Sequence, residues 1–137
     1  MFTAINASGS GLTAAKKWME ITSNNIVNAN TTVGTDGNPY HRQKVVLEAS
    51  NNFGNLLDRQ IGSGVQVKEI ATDPGERLVY DPTHPNAGKD GYVRYPNVDL
   101  TAEMTNVMIA QKMYEANTTV LNANKKMLDK DLEIGRA

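Results

Sequence analysis

The chain has no cysteine in 137 residues, which excludes disulfides, thiolate catalysis and cysteine-ligated zinc together. Neither charge sign is in real excess. With 14 basic and 15 acidic side chains and a formal net charge of −1, there is no electrostatic footprint for nucleic acid or an anionic lipid surface. Long hydrophobic runs are missing too. Runs of a few residues, such as Val45-Val46-Leu47, are far too short to span a membrane. The first residues, MFTAINASGSG, have neither the basic nor the apolar region of a cleaved leader. That leaves a cytosolic protein, or one exported by a route that cleaves nothing. Aromatics make up only 6% and hydrophobic residues 39%, with a mean hydropathy of −0.46. That is little for a chain of this length to build a large core alone.

The apolar residues that are present are strongly patterned. Ile5, Leu12, Met19 and Ile26 fall seven apart, and three residues after each comes a small one: Ser8, Ala15, Thr22 and Ala29. Large and small residues alternating along one stripe favour close helix approach. The spacing predicts a helix over 4–29, about 39 Å long. Gly9 and Gly11 weaken it by roughly 1 kcal/mol each relative to alanine. Leu100, Val107, Tyr114, Leu121 and Leu128 repeat the seven-residue spacing, and Met113, Val120, Met127 and Ile134 widen the face. The alternate positions are read as Met104, Gln111, Thr118, Lys125 and Leu132. Asp99 or Asn97 can cap this second helix, and Gly135 sits where a left-handed terminating residue belongs. Lys125, Lys126 and Lys130 lie toward its C-terminal end, where the helix dipole favours cations.

Residues 32–96 differ. Turn residues punctuate short extended pieces at Tyr40–Leu47, Gly64–Ile70 and Arg77–Tyr80, with Asp73-Pro74-Gly75 and Asp81-Pro82 as turns. Pro82, Pro85 and Pro96 keep the rest of this region out of helix, as an extended arm. The expected fold is therefore mainly α, in three parts. Residues 1–31 form one core helix, 32–96 a small β-rich segment with its arm, and 97–137 a second core helix. Two amphipathic helices flank a middle too small and polar to cover them, so order should depend on neighbours.

Chemical sites are sparse. Gly9–Ala14 formally fits a dinucleotide-binding glycine pattern, but only eight residues precede it, no acidic residue lies near the expected offset of ~20, and the apolar stripe runs through it. The glycines are instead expected to permit close packing or bending. His41 and His84 lack metal-ligand spacing, and His84 is expected to pack or hydrogen-bond within its turn. Asp73, Glu76 and Asp81 read as turn carboxylates. The sequons at Asn6, Asn30 and Asn117 read as chance matches, and Met104, Met108, Met113 and Met127 as adaptable packing residues. Neither a cofactor nor an enzymatic activity is expected. Four asparagines, Asn24, Asn25, Asn28 and Asn30, crowd the first helix end. They can terminate the helix, or pair with backbone and neighbours.

That helix end, SNNIVNANTTVG, resembles the N-terminal signature of the bacterial flagellar rod and hook family. The segment YDPTHPNAGKDGYVRYPNVDLTAEMTNVMIAQKMYEANTTVLNANKKML is also similar to that family, in the pieces DPTHP, GYVRYPNV, EM, MIAQKMYEAN and NANKKML. The likeness is weakest over 48–62. It implies a structural subunit of the proximal rod of the flagellar basal body, the torque-transmitting driveshaft. It also implies terminal helices packed as a coiled coil around a tubular axis, with the middle lying further out. Implied partners are other rod subunits and further copies of the chain, the adaptor joining rod to membrane ring, and the type III export apparatus, which passes subunits unfolded and uncleaved. The implied assembly surface comprises Ile5, Leu12, Met19, Asn24, Asn25, Ile26, Asn28, Asn30, Leu100, Met104, Val107, Tyr114, Glu115, Asn117, Leu121 and Leu128. Tyr114 would be an interhelical knob, with Glu115 and Asn117 bonding neighbouring subunits. Two rival readings are another axial protein of distal rod or hook, and a secreted coiled-coil interaction protein.

Overall fold

A computed structural model describes residues 2–34, 37–50 and 64–135. The 51–63 stretch, which holds most of the segment where the family likeness is weakest, lies outside them. Helix α1, Phe2–Val27, and helix α2, Leu100–Ile134, make the most extensive contact in the molecule. They run antiparallel, because Asn25 meets Glu103 while Gly11 meets Asn117. Carried on at that register, Phe2 falls level with residue 126. Residues 127–134, about 12 Å of helix, then run past the start of α1.

α1 stops two residues short of the expected Ala29. Its end tightens through the Asn28 N–H to the Asn24 carbonyl at 3.0 Å and the Ala29 N–H to the Ile26 carbonyl at 3.3 Å. The Asn28 amide also donates to the Asn24 carbonyl at 2.9 Å. Side chains that compete for backbone groups thus close the helix. α2 begins as expected, with Asp99 Oδ1 accepting from the N–H groups of Thr101 at 2.9 Å and Ala102 at 3.3 Å. Its end differs from expectation. Gly135 is right-handed, φ −70°, with its N–H on the Asp131 carbonyl. The last turn carries no basic residue, and Lys130 pairs instead with Glu133.

Strands β1, Arg42–Ala49, and β2, Val65–Asp73, form an antiparallel hairpin packed on α1. Arg42 stands opposite Asp73, and the ladder is irregular between Val46 and Leu47. Ser10 of α1 ties down the start of β2 by accepting the Val65 N–H at 3.1 Å. Gly64 has φ +100°, and any Cβ there would overlap the Ser10 hydroxyl, so the close approach requires glycine. After the Asp73-Pro74-Gly75 turn, β3, Glu76–Tyr80, pairs antiparallel with β4, Tyr92–Pro96. β4 corrects the expectation of an arm. Its proline sits at the strand's last residue, where a missing donor breaks little.

The core is thin. Its buried apolar residues are Ala14, Ala15, Ile21, Ala29, Val93 and Ala110, accompanied by Ser8, Thr22, Asn25, Glu103 and Asn124. Alanines bring the helix axes close, but they remove little apolar area from water.

Candidate assembly interface

One of the four clustered asparagines reaches the centre of the fold. Asn25 and Glu103 are each 1% exposed. Asn25 Nδ2 donates to the Gln43 carbonyl at 2.8 Å and to Glu103 Oε2 at 3.0 Å. Its Oδ1 accepts from the Tyr40 hydroxyl and from the Gln43 N–H, both at 2.9 Å. Every donor and acceptor position of the amide is used. Glu103 Oε1 accepts from Arg42 Nε at 2.8 Å and from Arg42 Nη2. This knot joins α1, β1 and α2 at one point. Burial, reinforced by the Glu103 carboxylate, raises the Tyr40 phenol above its ordinary value.

The seam between the helices is not the one the large residues suggest. The small row Ser8, Ala15 and Thr22 on α1, with Ala29 just past its end, is buried, while Ile5, Leu12, Met19 and Ile26 are half-buried beside it. On α2 the matching row is Glu103, Ala110, Asn117 and Asn124, all buried except the half-buried Asn117. Gly11 abuts the Asn117 amide so closely that an added Cβ would lie 2.9 Å from it. That amide is turned to the Met113 carbonyl at 2.9 Å. Val107, Leu121 and Leu128 are half-buried beside the seam, whereas Leu100, Met104 and Tyr114 are exposed. Tyr114 is 41% exposed, so within the chain it is no knob. Glu115 is exposed and pairs with Lys112 at 2.7 Å. Asn24 and Asn30 are exposed, and Asn28 is half-buried. Sequence reasoning missed Glu103, Arg42, Tyr40 and Asn124. The available signal was the small row on α1, three residues past each large one. The same offset on α2 gives 103, 110, 117 and 124.

Large apolar side chains remain outside among the polar ones. Val27, Leu100, Met104, Met108 and Ile109 are exposed toward one end of the helix pair, with Val120, Met127, Leu132 and Ile134 toward the other. The four methionines read as packing residues are therefore mostly surface, with only Met113 half-buried. Ser23, Ile26, Val27, Met104, Val107 and Met108 line a groove of about 340 Å³.

The polar chemistry elsewhere is structural. Asp73 Oδ1 accepts the Gly75 N–H, and that bond, with Lys44 next, lowers its carboxyl below the usual range. Asp81 is lowered by the Thr83 hydroxyl and then the Thr83 N–H. Glu76 faces Arg94 at 3.8 Å. His84 Nδ1 accepts the Asn86 N–H at 3.1 Å, and the ring meets Tyr95 edge-on at 6.3 Å. A cleft of about 420 Å³ lies beside Asn28, Tyr40 and His41. Among the described residues, no group of three or more His, Asp or Glu side chains could hold a metal, and no helix is long and apolar enough to cross a membrane.

Comparison with known proteins gives this helix pair a family. Residues 5–34 match the family described as "Flagella basal body rod protein", and residues 89–134 match "Flagellar basal body rod FlgEFG protein C-terminal". The first covers nearly all of α1 and the second the whole of α2. Relatives named "Flagellar basal-body rod protein FlgC" align along almost the whole chain. That of Bacillus subtilis is 41% identical over 98% of each chain. That of Salmonella typhimurium is 37% identical over 99% of this chain and 98% of its own. That of Aquifex aeolicus is 35% identical over 97% and 96%. The chain belongs to the FlgC family of structural flagellar basal-body rod proteins.

Proposed function

We propose that this rod protein polymerises through the outer faces of α1 and α2, with further copies and with other rod subunits, into the proximal, torque-transmitting part of the rod. The helices then pack against neighbours as a coiled-coil core around the axis, and residues 32–96 lie further out. In this reading residues 1–31, 32–96 and 97–137 act as core helix, outer segment and core helix. The observation that carries it is the apolar surface left on α2, with Met104, Met108, Met127, Leu132 and Ile134 all exposed. Covering each would contribute about 1 kcal/mol, and together that rivals a sizeable part of a domain's stability. Tyr114, Glu115, Asn24 and Asn30 face outward, where amide and hydroxyl groups can bond a neighbour. The rod position also implies the adaptor to the membrane ring and the type III export apparatus as partners, with passage unfolded and uncleaved. A thin core of small residues suits such a passage. A binding role without catalysis accords with the turn-bound carboxylates.

Tyr114→Asp tests the reading, because a side chain this exposed can change without disturbing the seam. Cells carrying the variant should export it and fail to swim, while Tyr114→Phe swims. Leu121→Lys should also abolish swimming, though its half-buried position strains the subunit as well. Normal motility of the aspartate variant would remove α2's outer face from the assembly. A hook or distal-rod role is disfavoured because 32–96 is too short for a large outer domain. A secreted coiled-coil protein would sediment as a small closed oligomer.

A further inference from the structure

Sulfur enters this chain only as methionine, because it has no cysteine. Hydrogen peroxide therefore meets thioethers and no thiol, and exposure decides which of them reacts. Met19 and Met113 are half-buried. Met104 is 52% exposed, Met108 61% and Met127 50%. Met104 and Met108 differ from Met127 in their surroundings. They stand about 6 Å apart along α2, roughly one helical turn, and line one groove of about 340 Å³ with Ser23, Ile26, Val27 and Val107. Among these lining residues Ser23 carries the only polar side-chain group.

In each oxidation the sulfur lone pair takes one peroxide oxygen, the O–O bond breaks, and the other oxygen leaves as water. The thioether loses two electrons and the peroxide gains two. A flexible apolar side chain becomes polar. Its new oxygen is an acceptor that needs a donor whenever it leaves water. Two such oxygens would share this groove, and the Ser23 hydroxyl has a single proton to donate. The N–H groups of the helix interiors around them are already spent on the helix ladders. In the free chain water satisfies both oxygens, so the fold is undisturbed. Under a neighbour's apolar cover they are left short of donors. We propose that Met104 and Met108 form an oxidation-sensitive pair: the thioether form of the free subunit assembles, and the sulfoxide form does not. Methionine sulfoxide is reducible enzymatically, so a subunit oxidised before assembly is recoverable. This rests on the rod reading, in which the outer face of α2 is covered, and adds a redox control on that face.

The test has a chemical arm and a cellular arm. Full-length chain is treated with hydrogen peroxide, and peptide mass spectrometry follows the gain of one oxygen at each methionine. Met104 and Met108 should react several-fold faster than Met19 and Met113, with the thermal midpoint unchanged. In cells, Met104→Gln with Met108→Gln makes both sites polar, as the sulfoxides would. Met104→Leu with Met108→Leu keeps them apolar at nearly constant volume. Both replacements suit an exposed helix position. The glutamine pair should be exported, yet the number of swimming cells should fall on the order of tenfold, while the leucine pair swims. Under a sublethal peroxide dose given as new flagella grow, unaltered cells should lose more new swimmers than leucine-pair cells. Equal losses overturn the proposal, and so do swimming glutamine-pair cells or a leucine pair that fails to swim. Equal oxidation rates at exposed and half-buried methionines overturn it too. Tyr114→Asp reads the rod assignment separately: if those cells are immobile while the glutamine pair swims, only the redox proposal falls.

Discussion

Asn25 and Glu103 put a buried amide and a buried carboxylate where a helical hairpin would ordinarily place leucines. A buried ion pair adds little net stability over an apolar pair, yet removing one partner is costly. Glu103→Ala strands the Arg42 guanidinium and one Asn25 donor. The urea midpoint should fall by the equivalent of roughly 3–5 kcal/mol. Glu103→Gln keeps the shape and one acceptor oxygen, and should cost clearly less. Equal losses for the two would mean that the carboxylate's charge and paired oxygens are not what holds the knot. Tyr40 adds a pH dependence. Its phenol is raised in the folded chain, first by burial and then by Glu103, so the fold favours the neutral form. That contribution is complete below the unfolded phenol's value of about 10 and is lost as pH rises through the higher folded value. Tyr40→Phe should therefore flatten the loss of stability above pH 10. An unchanged slope would place the alkaline transition elsewhere.

At the scale of elements, the two α1 glycines differ although they stand two residues apart. A Cβ at Gly9 meets nothing within 4 Å, whereas one at Gly11 meets the Asn117 amide at 2.9 Å. Gly9→Ala should stabilise the folded chain by about 1 kcal/mol through helix propensity. Gly11→Ala should forfeit that gain or reverse it, because Asn117 must leave the Met113 carbonyl. Thermal unfolding of the two variants decides; equal gains would contradict the close approach. Both helices and the first three strands are legible in the sequence, since period and turn residues mark them directly. The Asp99 cap is legible for the same reason. The seam is harder to read. A stripe of large residues signals burial, but here they flank the seam, and small and polar residues define it. Glu103 and Asn124, buried in the fold, escape a reading of the sequence because nothing local reveals a partner dozens of residues away. β4 is hidden by its proline and by its dependence on pairing with β3. The assembly residues divide accordingly. Leu100, Met104, Tyr114, Glu115, Asn24 and Asn30 remain outward, while Asn25 and, in part, Asn117 are spent inside the subunit.

Among the described residues, a narrow strip holds the two helices and the first hairpin together: the small-residue seam, the knot at Asn25 and the Ser10 tie to β2. Opening free energy varies along a chain with the contacts each part makes. Residues 103–117 pack against 11–25 and share the knot, so their amides should exchange slowest in dilute solution. Residues 127–134 are exposed except for the half-buried Leu128, and a helical stretch of that length with so little cover is marginal in water. Their amides should exchange close to the rate of unfolded chain in the free protein, then become protected in purified basal bodies. Hydrogen exchange read by mass spectrometry on both samples separates the regions. The contrast between samples is the informative quantity, because a subunit complete in itself would give the same pattern in each. If 127–134 were already as protected at high dilution as 103–117, the exposed apolar end would have found its cover within one chain. The need for neighbours would then disappear.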